Sequence, residues 1–433
     1  MTPLTIGFIG IGVLFILLLS RMPIGLVMGL VGFAGFAYLK GLDPALGVLR
    51  TVPYRTFADY GFTIIPLFIL MGSFCFYAGL SKDLYGAVHN WIGQLRGGLA
   101  MATVGACASF AAVSGSSLAT AATMGTVALP EMKRYKYDDR LATGCVAAGG
   151  TIGILIPPSV GLVIYGILTE QSIGKLFLAG FFPGVLEAVF YMITIYILCR
   201  RNPLMGPPGP RTSFMQKIIS LRETWIVLAL FVLVIGGLYF GVFSPTEAAG
   251  VGAFGAFVFG VARRRLGWQA LKGSFVETGK TTGMIFVIIL GAMILGYFLA
   301  VSRLPFELAS FISALPVSRY IILGIILVFY LILGCVMDSL AMMLLTVPIF
   351  FPLVMALGFD PIWFGIIIVR TMEIGLITPP VGLNVYIIKG VAKDVSMQTI
   401  FRGIVPFLMA DVCHVALLVA VPQISLFLPG LMK

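Results

Sequence analysis

Residues 152–166 read IGILIPPSVGLVIYG, an apolar run interrupted by two adjacent prolines and three glycines. A proline inside a helix removes a hydrogen bond and clashes with the preceding turn, at a cost of about 3 kcal/mol or more. In hydrocarbon no water satisfies the freed backbone groups, so such a break survives only where protein buries it or where it lines a cavity. The run has a twin, IGLITPPVGLNVYII, at residues 374–388. Upstream of each lies a Ser-Leu-Ala, at Ser117 and at Ser339, followed by Pro130 and Pro352. Ser117, Pro130, Gly153, Pro157 and Pro158 therefore match Ser339, Pro352, Gly375, Pro379 and Pro380 at a constant offset of 222 residues. Gly180 and Pro183 find Gly403 and Pro406 at nearly the same offset. The chain is written twice.

Composition says what solvent the two copies fold in. Of the 433 residues 60% are hydrophobic and 10% charged, and the mean hydropathy is +1.08. Globular proteins average about 45 to 50% apolar and 25% charged. Apolar windows long enough to span a bilayer recur at 4–19, 23–39, 61–80, 141–168, 180–199, 223–240, 246–262, 281–300, 362–388 and 403–421, a span needing about 17 to 25 residues. Two further stretches, 98–130 and 318–352, have polar breaks near their middles and read as helical hairpins that enter and leave by one face. The expectation is an all-α polytopic membrane protein of about ten transmembrane helices and two re-entrant hairpins, with no soluble domain. The first segment lacks a basic leader and an A-x-A-like cleavage site and reads as a retained span.

A net charge of +11 reports orientation here, not nucleic acid. With both termini outside, 20 of the 28 Lys and Arg fall in loops assigned to the cytoplasm, among them Arg21, Arg96, Lys133 to Arg140, Arg211 and Arg263 to Arg265. Seven fall outside and Arg370 lies within a span; that asymmetry follows the positive-inside rule. The segment 40–60 is placed outside despite Lys40, Arg50 and Arg55. The basic flanks of the first hairpin put both its ends in the cytoplasm, whereas the exit of the second, Gly358-Phe359-Asp360-Pro361, carries no Lys or Arg. The repeats are thus inverted. Glycine- and proline-interrupted segments at matching positions of inverted repeats point to a transporter's binding site.

The breaks offer oxygen. At the first tip, Ser114, Gly115, Ser116 and Ser117 combine hydroxyls with an unwound turn, and they face Gly153, Ile156 and Pro157. The second half offers Val336, Asp338 and Ser339 opposite Gly375, Thr378 and Pro379. Two oxygen-rich pockets near midplane point to two sodium sites and no transition metal. Each restarting half-helix also turns its positive N-terminal end into the cavity, so backbone N–H groups can hold a carboxylate without a lysine. The expected substrate is an organic anion touching Ser116, Ser117, Pro158, Ser159, Asp338, Ser339, Arg370, Pro380 and Asn384.

Ionisable groups inside spans point to function by default. Asp338 reads as an ion or substrate contact, or as a helix cap. Arg370 and Glu373, one helical turn apart, read as an internal ion pair, with Arg370 as a substrate ligand the alternative. Glu187, Glu247, Asp411 and His414 lack repeat partners and read as interhelical hydrogen-bonding groups. The six cysteines lie in or beside apolar stretches without CxxC spacing and read as packing residues.

SGSSLATAATMG, IGILIPPS, MDSLAMMLLTVPIFFPL and EIGLITPPVGLN, in that order, resemble the large membrane (M) subunit of tripartite ATP-independent periplasmic (TRAP) transporters, over essentially the whole chain. The resemblance implies a sodium-coupled, elevator-type importer of the bacterial inner membrane within the ion transporter superfamily. It implies three partners besides membrane lipid: a small four-helix Q subunit, not fused here, a periplasmic binding protein, and the organic carboxylate that this protein delivers. On that reading residues 1–60 are N-terminal scaffold, 61–170 and 281–390 are the two transport repeats, and 171–280 and 391–433 are scaffold helices with connecting arms. Lys175 to Leu178 and Leu266 to Lys272 are the expected arms. A stand-alone sodium/dicarboxylate symporter is the alternative. An enzyme is not expected: HExxH is absent, the histidines stand 325 residues apart, and Asp338 and Asp411 lack matching motifs.

Overall fold

The structure is a computed structural model describing residues 2–432 except Arg21 and Arg211. Arg21, Arg211 and Lys433, which enter the orientation argument, lie outside the described residues. The chain opens with α1 (Pro3–Leu19), α2 (Ile24–Lys40), α3 (Leu42–Ala58), α4 (Ile64–Tyr77) and α5 (Leu80–Ile92). The first repeat follows as α6 (Gly98–Ser114), α7 (Ser117–Arg134), α8 (Asp139–Thr151), α9 (Val160–Thr169) and α10 (Ile173–Arg201). Between the repeats stand α11 (Phe214–Tyr239), α12 (Pro245–Ala262), α13 (Trp268–Ser302) and α14 (Leu304–Ser313). The second repeat is α15 (Arg319–Gly334), α16 (Ser339–Ala356), α17 (Pro361–Gly375), α18 (Leu383–Val391) and α19 (Met397–Ala420), and α20 (Gln423–Leu431) closes the chain. Among the described residues there is no strand.

The duplication holds element by element. Subtracting 222 from the bounds of α16 gives 117 and 134, the bounds of α7. Helices α8 and α17 both stop at the proline break, α9 and α18 both restart after it, and Pro157–Pro158 and Pro379–Pro380 are both cis. Among the described residues six helices are long and apolar enough to cross a membrane, or seven if α11, bent by 50°, is one span. The windows 141–168 and 362–388 are not single helices: each is two pieces around the break. The expected arms are likewise not separate: Lys175 to Leu178 fall in the first turns of the 29-residue α10, and Trp268 to Lys272 begin the 35-residue α13. Such a helix is about 50 Å long, more than the roughly 30 Å hydrocarbon core.

Glycine sets how closely the helices approach. A methyl group on Gly291 of α13 would lie 2.0 Å from the Gly25 carbonyl of α2, so these backbones touch. In the same way Gly144 of α8 meets Gly403 of α19, and Gly180 of α10 meets the Leu155 carbonyl in the first break. Helices α10 and α19, expected as scaffold, therefore pack on the hairpin repeats at backbone contact. The segment 42–58, expected as an outside loop, is an amphipathic helix that buries Ala45, Val48, Val52 and Thr56 and leaves Arg50 and Arg55 exposed.

Candidate functional site

The first hairpin turns where Gly115 adopts φ 60°, a left-handed conformation that glycine tolerates best. A side chain there would strike the Pro158 carbonyl at 2.8 Å, so the tip rests on the break of its own repeat. Gly153 meets the Ser116 carbonyl and Thr120 Oγ1, each 2.8 Å from a methyl group placed on it. Ser116 caps α7 and Ser159 caps α9 by accepting backbone N–H bonds. Ser114 Oγ lies 2.9 Å from Thr120 Oγ1, which donates to the Ser116 carbonyl at 2.8 Å. Ser117 Oγ is buried without a hydrogen-bond partner.

The second tip repeats the pattern with different chemistry. Asp338 caps α16, accepting from the Leu340 N–H at 3.1 Å. Gly334 and Gly375 touch backbone to backbone, and Cys335 Sγ lies 3.3 Å from the Pro379 carbonyl that accepts its proton. Ser339 donates to Glu373 Oε1 at 2.7 Å. Thr378 donates back to the Ile374 carbonyl at 2.7 Å.

A cavity of about 480 Å³ joins the tips, a volume within the range of small-ligand sites. Ser114 to Ser117, Asp338 and Ser339 line it, as do Ile154, Glu373 and Leu376, with α4 and α13 forming the opposite wall. Among the described residues no Lys, Arg or His lines it, and its carboxylates are Glu277, Asp338 and Glu373. The remaining expected residues sit behind this lining. Gly153, Ile156, Pro157, Pro158, Ser159 and Gly375 are buried in the breaks, whereas Val336, Pro379 and Pro380 are exposed. Thr378 is half-buried. Asn384 is fully buried and donates to the Ala147 carbonyl at 3.2 Å, tying α18 to α8. Hydroxyls and tip carbonyls without a competing cation can coordinate a small hard cation, and the N-terminal ends of α7 and α16 favour an anion beside it.

Arg370 does not pair with Glu373. It is fully buried and points the other way, with Nη1 2.8 Å from Glu187 Oε1 of α10 and Nη2 bonded to Asp411 of α19. Its Nε donates to His414 Nδ1 at 3.2 Å and its Nη2 to Tyr191 Oη at 3.2 Å. Thr151 completes the cluster, donating to Glu187 Oε1 at 2.9 Å. A guanidinium between two carboxylates satisfies its charge better than one neighbour on its own helix can, and its planar donor fork suits such pairing. The interhelical role expected of Glu187, Asp411 and His414 is what they perform, while Glu247 closes a capping box with Ser244. Thr120 and the inward turn of Glu373 carried no expectation. One signal was available for the cluster: three unmatched ionisable residues in apolar runs need a cation, and Arg370 stands alone among the Lys and Arg within a span.

The chain matches the family described as "Tripartite ATP-independent periplasmic transporter, DctM component" over residues 11–424. It is 39% identical to the C4-dicarboxylate TRAP transporter large permease protein DctM of Pseudomonas aeruginosa, covering 90% of this chain and 93% of that one. It is 34% identical to the sialic acid TRAP transporter large permease protein SiaM of Vibrio cholerae, covering 96% of each. In fold it resembles the Alcanivorax borkumensis YdaH transporter, with a TM-score of 0.68 at 15% identity over 90% of each chain. Duplicated hairpins around one cavity, in a membrane chain matched nearly end to end, identify a transporter permease and not an enzyme: the chain belongs to the DctM family of TRAP transporter large permeases.

Proposed function

We propose that the protein is the membrane import unit of a sodium-coupled system for an organic carboxylate that a periplasmic binding protein delivers, working with a small four-helix subunit. The observation that carries this reading is the meeting of two repeat-related hairpin tips, at Ser117 and Ser339, on one cavity. Carboxylate is the chemistry common to C4-dicarboxylates and sialic acid, the substrates in the names of the two relatives above. Two sodium ions, one at each tip, would supply the positive charge that the cavity lining lacks; sodium held there offsets the substrate's charge. The serine hydroxyls and tip carbonyls orient the ion. Exposed N–H groups at the starts of α7 and α16 orient the carboxylate.

The mechanism follows from which surfaces can slide. Helices α10 and α19 are fastened to the repeats by backbone contact and by the buried Arg370 cluster, so they travel with the hairpins. The opposite wall is α4 and α13, with α2 packed on α13; α4 meets the first tip at backbone distance, Gly72 against the Val113 carbonyl, so the static side is α13 with α2. Movement of the hairpin body across that side carries the cavity from one face of the inner membrane to the other, with both termini periplasmic. In liposomes, sodium-driven uptake is expected only when the small subunit and the binding protein are both present. Robust uptake by the chain alone would assign it as a stand-alone sodium/dicarboxylate symporter.

A further inference from the structure

The repeats differ at one position that both tips share. Glu373 of α17 corresponds to Thr151 of α8, since 373 − 222 = 151. Thr151 turns outward to Glu187, whereas Glu373 turns inward to the tips. Its carboxyl is fully buried; Oε1 accepts from Ser339 and Oε2 has no hydrogen-bond partner. Ser117, the repeat mate of Ser339, is 4% exposed, lines the same cavity as Glu373, and its Oγ is also unpartnered. Among the described residues no Lys, Arg or His forms an ion pair with Glu373. An ionised carboxylate stripped of water and left without a cation costs several kcal/mol. Two unpaired oxygens, one from each repeat, thus lie in the lining of one cavity.

We propose that Glu373 and Ser117 form a cation site at the junction of the two hairpins, with Glu373 as the anionic ligand common to both tips. The inference rests on the sodium-coupled reading above and adds the residue that makes the ion sensitive to both repeats. Ser339 and Ser117 come to Glu373 from opposite halves, so the site is complete only when both tips are closed over the cavity. An ion held there fixes both tips at once, and its departure releases both. A lone serine tip, one per repeat, would leave each hairpin free to open independently.

The test is the unfolding temperature of the purified full-length chain, with sodium chloride replacing choline chloride at constant ionic strength. Wild type is expected to gain stability as sodium rises. Glu373→Gln removes an uncompensated buried charge, so in choline it is expected to unfold at or above the wild-type temperature. Its half-maximal sodium concentration is expected to rise about tenfold or more, because ligand charge sets cation affinity. Glu373→Asp should recover part of the response, and Ser117→Ala, which leaves the Ser339 bond in place, should weaken it. A Glu373→Gln protein less stable than wild type in choline, with an unchanged sodium midpoint, would make Glu373 structural and overturn the site. An unchanged midpoint in Ser117→Ala overturns it independently if Glu373→Gln fails to fold. A wild type indifferent to sodium would reject this site together with the sodium-coupled reading.

Discussion

Thr151 and Glu373 occupy the same place in the two repeats and face opposite ways. Thr151 donates to Glu187 in the cluster around Arg370, and Glu373 accepts from Ser339 at the hairpin tip. The chain thereby keeps two buried polar centres apart, one that binds α10 and α19 to the repeats and one that borders the cavity.

The two centres separate by mutation. Arg370→Met leaves Glu187 and Asp411 buried without their cation, a loss of about 3 to 5 kcal/mol for a broken buried pair. Neutralising both carboxylates in the same chain, by Glu187→Gln and Asp411→Asn, is expected to recover most of it. Pairing Arg370→Met with Glu373→Gln is expected to recover nothing. Thermal unfolding of the purified variants decides, and rescue by Glu373→Gln would return Glu373 to the role of partner.

Backbone contact predicts which glycines are fixed. A methyl group at Gly403 would lie 2.0 Å from the Arg140 carbonyl, and at Gly144 it would lie 2.4 Å from the Gly403 carbonyl. Alanine at either position forces α8 and α19 apart and should lower stability by about 1 to 3 kcal/mol. Gly283 in α13 has nothing within 4 Å, so Gly283→Ala should hold or raise stability by up to about 1 kcal/mol. Yields of monodisperse protein and unfolding temperatures would rank the three.

Asp338 has two jobs that substitution can divide. Asparagine keeps an oxygen for the Leu340 N–H and loses the charge; alanine loses both. Asp338→Asn is expected to fold like wild type and to lose sodium-dependent uptake. Asp338→Ala should in addition lose about 1 kcal/mol with the cap. Wild-type uptake by Asp338→Asn would reduce Asp338 to a helix cap.

Two polar links outside the spans differ in worth. Asp83 of α5, with a side chain 12% exposed, receives Arg263 at 3.1 Å and Arg265 at 2.5 Å; Asp83→Asn should cost about 1 to 3 kcal/mol. Lys133 and Asp394 meet in the open, with side chains 69% and 60% exposed. The hydrogen bond from Lys133 holds the Asp394 carboxyl below the usual carboxylate range. That contribution is present at neutral pH and fades as pH falls through the depressed range, and solvent screening keeps it small. Asp394→Asn should leave the unfolding temperature unchanged at any salt concentration.

The sequence alone determined the solvent, the duplication and the position of the breaks. Apolar windows, the fixed offset between Pro157 and Pro379, and the serines upstream are one-dimensional patterns, and the physics behind them is local: a proline breaks a helix wherever it stands. The family was legible for the same reason, because its motifs lie at those breaks. The tertiary structure decided which polar groups meet. Arg370 and Glu373 are neighbours on one helix, yet each finds its partner on other helices, 41 residues away at Asp411 and 34 residues away at Ser339. Residue spacing fixes the face of a helix, not what is packed against it. The packing of α10 and α19 on the hairpin repeats was hidden likewise, since it rests on backbone contact at Gly180 and Gly403. In hydrocarbon a buried charge must find its counter-charge wherever the fold brings one within reach, and that distance exists only in three dimensions.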